Sequence, residues 1–366
     1  MWTMDESERL DHILDRALQG VKIGPDDIKY LLALKDEDDL RKLFETAREI
    51  KKRNFGRDVF LYGFIYFTTY CRNNCTFCFY RNSNAATVRY RKSMEEVVQL
   101  ATALVDSGVH LVDLTLGEDP LIHGNGDWNR LLDIISAVRG AVDVPIMVSP
   151  GVLPRKLFRH LRERGVNWYA CYQETHNRAL FSKLRPNQDY DVRLNTKRWA
   201  MNEGLLIEEG IMVGVGETLD DRVNSIQIMD RLGAQQVRAM GFVPQKGTPM
   251  EGHSPPSNME EIVTIAVMRL VHQDKLIPAS LDVEGLKGLR ARLEAGANVV
   301  TSIIPPMTGL AGVAQHELDV NTGKRSVEGI VEVLDEMGER VASHSTYQRF
   351  VDSRSRGLKA VGEMFR

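Results

Sequence analysis

The sequence predicts an α/β protein, a (β/α)8 TIM-type barrel with an N-terminal helical lead-in and a C-terminal helical tail. Three observations predict it. From residue 59 onward, short β-branched and aromatic runs alternate with longer stretches whose apolar residues recur at helical spacing. Strands separated by helices imply a parallel sheet, because parallel neighbours need a crossover connection. A closed eight-stranded barrel takes about 250 residues as one unit, which the span 58–305 accommodates. An open doubly wound sheet is the alternative arrangement of the same pattern.

Residues 1–57 form the lead-in. Leu10, Ile13, Leu14 and Leu18 share one helical face, Pro25 opens a second helix through Leu34, and Asp36 begins a third whose acidic start and basic Lys51-to-Arg53 end suit the macrodipole before Gly56 stops it. The expected strands are Val59–Phe67, Leu111–Leu116, Pro145–Ser149, Asn167–Gln173, Leu206–Val213, Gln236–Phe242, Ile277–Val283 and Asn298–Ile303. Amphipathic helices lie between them: Met94–Ser107, Trp128–Gly140, Pro154–Arg164, Val192–Glu203, Thr218–Leu232 and Met259–His272. The Pro- and Gly-rich stretch Pro244–Pro256 reads as a long loop above the barrel mouth. Residues 306–366 read as a helical tail packing on the barrel, amphipathic from Ser326 to Ala342, with a mobile Arg-rich end.

Composition narrows the function. The chain has 366 residues, 43% hydrophobic and 27% charged, and a net charge of -3. That near-neutral balance gives no basic surface for nucleic acid, and no 18-residue apolar run suggests a membrane span. The acidic, polar N-terminus lacks the apolar core of a signal peptide. Of four cysteines, three are clustered, which fits a reducing, cytoplasmic setting better than a disulfide framework.

Cys71, Cys75 and Cys78 form a C-x3-C-x2-C run directly after the first strand. A structural zinc site wants four closed ligands and an ordinary 4Fe–4S cluster four cysteines. The next candidates, His110 and Cys171, are distant in sequence. A cluster with one iron free for an exogenous ligand is the economical reading; a zinc knuckle or buried thiols is the bland one. The motif resembles that of the radical S-adenosylmethionine (SAM) enzymes, in which three cysteines hold a 4Fe–4S cluster and SAM chelates the fourth iron.

Active sites of such barrels lie at the C-terminal ends of the strands, with alternate side chains facing the lumen. On the second strand Asp113 and Thr115 share a face; on the seventh, Ser280 and Asp282 do; on the sixth, Arg238 stands in an apolar run. Buried charges are costly unpaired. A structural pair of Arg238 with Asp113 or Asp282 is one explanation. The other is a ligand of complementary charge: two carboxylates and a guanidinium match a diamino acid such as L-lysine. Ser149 ends the third strand as a polar cofactor contact or a turn residue. Glu174 ends the fourth, free to take ribose hydroxyls or an ammonium, or to stand as a solvated acid. Arg185 and Arg193 follow, either to pair with Glu174 or meet SAM's carboxylate, or as surface arginines. The glycines of Gly210–Glu217 allow close approach of adenine. Glu118, after a single glycine, is a weaker candidate on the same edge. His176, His253 and His316 have no metal-like spacing and read as surface or loop residues. Cys171 is a buried small side chain.

The stretches Phe64 to Arg81, Cys171 to Asn177 and Lys183 to Pro186 resemble the branch that contains biotin synthase and the SAM-binding hydrogenase maturase. Biotin synthase builds a second cluster from additional cysteines, and only Cys171 remains here, which disfavours sulfur insertion. Within the branch the chain is most similar to the methylornithine synthase family of pyrrolysine biosynthesis. That resemblance implies a radical SAM mutase converting L-lysine to (3R)-3-methyl-D-ornithine through a 5′-deoxyadenosyl radical, served by a low-potential electron donor. It further implies that Cys71, Cys75 and Cys78 hold the cluster and that Phe77 offers its backbone to adenine. Ser149, Glu174, Arg185 and Arg193 would then contact SAM, and Asp113, Arg238, Ser280 and Asp282 would hold the amino acid.

Overall fold

The computed structural model describes residues 6–124, 128–305, 307–312, 314 and 325–364. Three helices come first: α1 (Glu6–Leu18), α2 (Pro25–Leu32) and α3 (Glu37–Phe55). Asp36 caps α3 by accepting from the N–H groups of Asp38 and Asp39, and Gly56 ends it at φ 61°. Their apolar stripes, with Leu10, Ile28, Leu43 and Ile50, are buried against the barrel's outer layer.

The barrel begins with β1 (Asp58–Thr68), α4 (Met94–Asp106), β2 (Leu111–Leu116), the short α5 (Pro120–His123) and α6 (Asn129–Ala141). It continues through β3 (Ile146–Ser149), α7 (Leu157–Glu163), β4 (Val166–Ala170), α8 (Arg178–Leu184) and α9 (Tyr190–Asn202). Then come β5 (Leu206–Val213), α10 (Leu219–Leu232), β6 (Gln236–Gly241), α11 (Asn258–Val271), β7 (Pro278–Ser280), α12 (Leu289–Glu294) and β8 (Val299–Ile303). All eight strands are parallel, in the order β6-β5-β4-β3-β2-β1-β8-β7. The circle closes just before β7, where Leu276 donates to Gln235 O and accepts from Val237 N–H. The open-sheet alternative is thereby excluded.

Strand parity divides the core in two. Leu61, Ile65, Val112, Leu114 and Val148 face outward onto the helices, while Phe60, Tyr62, Leu111, Trp168, Leu206 and Val299 fill the lumen's N-terminal end. The tail seals that end from below. After α13 (Val327–Glu336), the two-residue β9 (Arg340–Val341) pairs with the start of β1, and α14 (His344–Met364) follows. The Tyr347 hydroxyl meets that of Tyr62 at 2.6 Å. His110, just before β2, accepts from Leu61 N–H through Nδ1 at 2.9 Å and reaches Ala342 O through Nε2 at 2.8 Å. Burial pushes its imidazole down to about 4, so it is a neutral brace in this floor, at the end of the barrel opposite the cysteines.

The structure departs from the expected elements in several places: β4 stops at Ala170 rather than Gln173, and α5, α8 and α12 have no expected counterpart. The seventh strand stops at Ser280 because residues 281–284 turn, with Glu284 at φ 64°. β9 has no counterpart among the expected strands; two residues carry no periodicity. The Arg-rich end is helical through Met364.

Candidate cofactor and substrate site

The cysteine loop leaves β1 at Thr68 and is braced from three sides. Arg72 N–H donates to Glu118 O at 2.8 Å and Thr76 N–H to Leu184 O at 2.8 Å. The Arg89 guanidinium donates to the carbonyls of Thr69, Tyr80 and Arg81. The loop Pro244–Pro256 also rests on it, with Met250 N–H reaching Thr76 O at 3.3 Å. Gly117 makes this packing possible. A Cβ there would stand 2.3 Å from Tyr70 O and 3.0 Å from the Cys71 Cβ.

The thiols sit among donors. Gln188 Nε2 approaches Cys75 Sγ at 3.0 Å and Arg185 Nη1 at 3.4 Å, while Asn73 N–H lies 3.5 Å from Cys71 Sγ. Burial pushes the Cys71 thiol up to about 11 and that of Cys78 higher still. Three thiolates therefore need positive charge brought in with the metal. Among the described residues no three His, Cys, Asp or Glu side chains converge on a single ion. The donor set fits a 4Fe–4S cluster with one iron left uncoordinated by protein.

A cavity of about 210 Å³ opens beside the thiols at the barrel mouth. Cys71, Cys75, Cys78 and Phe77 line one side; Ser149, Glu174, Arg185 and Arg193 line the rest. Every residue expected to touch cluster or cofactor thus lines this one cavity. Glu174 is buried and held at φ 66°, an unusual conformation for a non-glycine residue. It is fixed by its N–H to Gly210 O (3.1 Å) and its carbonyl to Met212 N–H (3.0 Å). Its carboxylate takes Arg185 Nη2 at 2.7 Å, and burial raises its pKa despite the two arginines near it. Arg185 also lies 5.1 Å from the Phe77 ring. Arg193 donates to Tyr172 O at 2.7 Å. Glu118 shares the wall, taking Val152 N–H at 3.0 Å and Arg72 Nε at 2.9 Å. Burial works against its charge, but Arg193 and the Val152 N–H hold its carboxyl below the usual range. The buried arginines are not surface residues.

A second layer lies one pleat deeper. Thr115 and Ser149, paired in register, line the cavity, and Asp113, paired with Met147, lies two residues below. Ser149 Oγ donates to Asp113 at 2.8 Å, so the serine bridges the two layers. Burial, opposed by that hydrogen bond, raises the Asp113 carboxyl to about 7. Arg238 pairs with neither of the aspartates considered from sequence. Its Nε donates to Glu208 Oε1 at 2.7 Å and its Nη1 to Thr301 Oγ1 at 3.1 Å; Nη2 is buried without a partner. Glu208 also accepts from the Tyr172 hydroxyl at 2.8 Å. Asp282 takes Ser302 Oγ at 2.8 Å and Arg325 Nη1 at 2.7 Å, and its N–H reaches Ser280 Oγ at 3.2 Å. Asp282 also borders a separate cavity of about 450 Å³ between the ends of β6 and β7.

Glu208 and Arg325 are the residues sequence reasoning missed. The strand-parity rule that found Arg238 also places Glu208 in the lumen, two residues before Gly210, the register partner of Arg238 on β5; the adjacent Glu209 points outward to Lys197 at 2.6 Å. Arg325 carries no local signal. Other expectations are corrected. His176 is buried, 3.9 Å from Glu209, with its pKa pushed by burial down to about 4. The glycines of 210–217 serve packing: Gly210 makes room for the Tyr172 ring and Arg238, and Gly214 for Pro256, and neither Gly214 nor Gly216 lines the cavity. Cys171 is buried, as expected, and His253 is exposed. His316 and residues 1–5 lie outside the described residues.

A parallel (β/α)8 barrel whose mouth gathers three cysteines beside a mainly apolar cavity carrying a few buried charged side chains defines the radical SAM class. The model of the Radical SAM superfamily matches residues 65–229. The 3-methylornithine synthase of Methanosarcina acetivorans is 40% identical over 342 residues, 93% of this chain and 97% of that protein. A crystal structure of methylornithine synthase superposes with a TM-score of 0.87 at 39% identity, covering 92% of this chain and 99% of the other. An FeFe-hydrogenase maturase of Thermotoga maritima is 29% identical over 75% of this chain and 78% of its own length. The chain belongs to the 3-methylornithine synthase family of radical SAM enzymes.

Proposed function

We propose that this protein isomerises L-lysine to (3R)-3-methyl-D-ornithine, the carbon-skeleton step of pyrrolysine biosynthesis, with a 4Fe–4S cluster and SAM as cofactors. The observation that carries the reading is the charge pattern of the layer beneath the cofactor cavity. Asp113, Glu208 and Asp282 stand against Arg238 and Arg325, all buried, and two guanidinium nitrogens lack partners. Buried, unpaired donors of this kind are costly and point to a ligand that completes them. A diamino acid supplies a carboxylate for guanidinium and ammonium groups for Asp113 and Asp282.

Cys71, Cys75 and Cys78 hold the cluster in this reading. Bound together, the cluster and SAM supply a 5′-deoxyadenosyl radical on reduction by a low-potential donor. Phe77 offers its backbone to the adenine; Ser149, Glu174, Arg185 and Arg193 orient SAM. Asp113, Arg238, Ser280 and Asp282 hold the amino acid below it. The protein's own work is to fix both substrate ends and keep water out. The aromatic floor of Tyr62, Trp168 and Tyr347 serves the second task.

The test is anaerobic turnover of reconstituted protein with reductant, SAM and 13C-labelled lysine. An isomer of unchanged mass is expected, lost on Arg238→Ala. SAM cleavage that proceeds without lysine and yields no isomer refutes the reading.

A further inference from the structure

Arg325 stands just before α13, yet its side chain reaches into the barrel, where it is 1% exposed. One nitrogen, Nη1, is spent on Asp282 at 2.7 Å; the other, Nη2, is buried with no hydrogen-bond partner among the described residues. A purely structural pair explains the first contact and leaves the second unaccounted for. Burying a guanidinium costs free energy unless its fork of donors is used. Asp282 is meanwhile also served by Ser302 and does not need a second donor to be satisfied. Asp282 Oδ1 and the Tyr66 ring both lie beside Gly312, and Tyr66 pairs in register with Thr115, two residues above Asp113, so the pair borders the layer of the lower acids.

The charge balance of that chamber turns on this residue. Among the described residues, three carboxylates (Asp113, Glu208, Asp282) face two guanidiniums, leaving one net negative charge when all are ionised. L-Lysine carries one net positive charge and neutralises it. Without Arg325 the chamber would hold two negative charges and suit a ligand of two positive charges, such as a diamine or an amino acid amide.

We infer that Arg325 is a substrate-specificity residue: it cancels one chamber carboxylate and offers Nη2 to the substrate carboxylate, so that the site selects a diamino acid over its amide or diamine. This rests on the lysine reading above. It acts beside Arg238, which likewise commits one nitrogen to a carboxylate, Glu208, and keeps a buried Nη2 for a ligand.

The experiment compares wild-type, Arg325→Met and Arg325→Lys holoenzymes, reconstituted anaerobically. Two quantities are measured: the KM for L-lysine and the inhibition constant of L-lysinamide, which lacks the carboxylate charge. In Arg325→Met the ratio should move toward lysinamide by roughly tenfold or more, the scale of one charge contact in a partly screened interior. Arg325→Lys, which keeps the charge, should hold the ratio within about threefold of wild type. The SAM-induced change in the reduced cluster's spectrum should persist in both, since Arg325 is not in the cofactor wall. A loss of packing alone would weaken both ligands together and leave their ratio fixed. Should Arg325→Met fail to retain iron, Arg325→Gln carries the same expectation. A neutral variant with intact SAM response and the wild-type ratio overturns the role of Arg325 alone. A wild-type enzyme that leaves lysine unchanged overturns the parent reading and this one with it.

Discussion

Asp113, proposed above to bind the substrate, works against the stability of its own fold. Its buried carboxyl is raised to about 7, so in the empty protein it holds a proton more tightly than an unfolded aspartate does. Stability therefore falls as pH rises from about 4 to 7 and stays lower above that, because the folded state must then bury an ion. In the proposed binding mode an arriving ammonium offsets that cost by pairing with the carboxylate. Two outcomes follow. The kcat/KM for lysine should rise with pH through about 7 as Asp113 ionises. Asp113→Asn should melt at a higher temperature than wild type at pH 8, with the difference gone below about pH 4, while lysine turnover falls by roughly a hundredfold or more. An Asn variant no more stable than wild type at pH 8 contradicts the burial argument. At this scale the sequence was partly readable. Parity along β2, β6 and β7 singled out Asp113, Arg238 and Asp282, since each is a charge in an apolar run. It did not supply partners, because a contact such as Arg325 with Asp282 joins residues 43 positions apart across different elements.

The decisive element is the cysteine loop together with the end of β2 that supports it. Gly117 is required by contact rather than by a positive φ: its added Cβ would meet backbone at 2.3 Å and the Cys71 side chain at 3.0 Å. Gly63 provides a control on the opposite face of β1. A Cβ there meets the tips of the Leu104 side chain at 2.8 Å, and that side chain can move. Gly117→Ala should therefore push the loop aside and lower iron content after reconstitution, measured against protein. Gly63→Ala should cost roughly 1–3 kcal/mol of stability while keeping its iron. Equal iron retention in the two variants contradicts the proposed support. Helices and strands were legible here because capping residues and periodicity are local. Asp36 and Gly56 bound α3 where expected. β7 was overextended, because the turn after Ser280 contains Leu281 and Val283, residues that read as strand and are buried for other reasons.

In the whole molecule, the chain builds a vessel with two different ends. The tail closes the N-terminal end with Tyr347 and β9, the cavity beside the cysteines occupies the C-terminal mouth, and a buried layer of charged side chains lies between. Eight alternating segments made the barrel readable. The floor was not readable, since a helix at the end of a chain carries an apolar stripe without stating what it covers. If Cys71, Cys75 and Cys78 hold the cluster as proposed, SAM would meet it at the iron they leave free. Electron paramagnetic resonance of the anaerobically reduced protein, recorded before and after adding SAM, tests this most directly. A low-spin cluster signal whose shape changes on adding SAM is the predicted result. An unchanged spectrum, or a colourless protein carrying zinc and no iron, would contradict it.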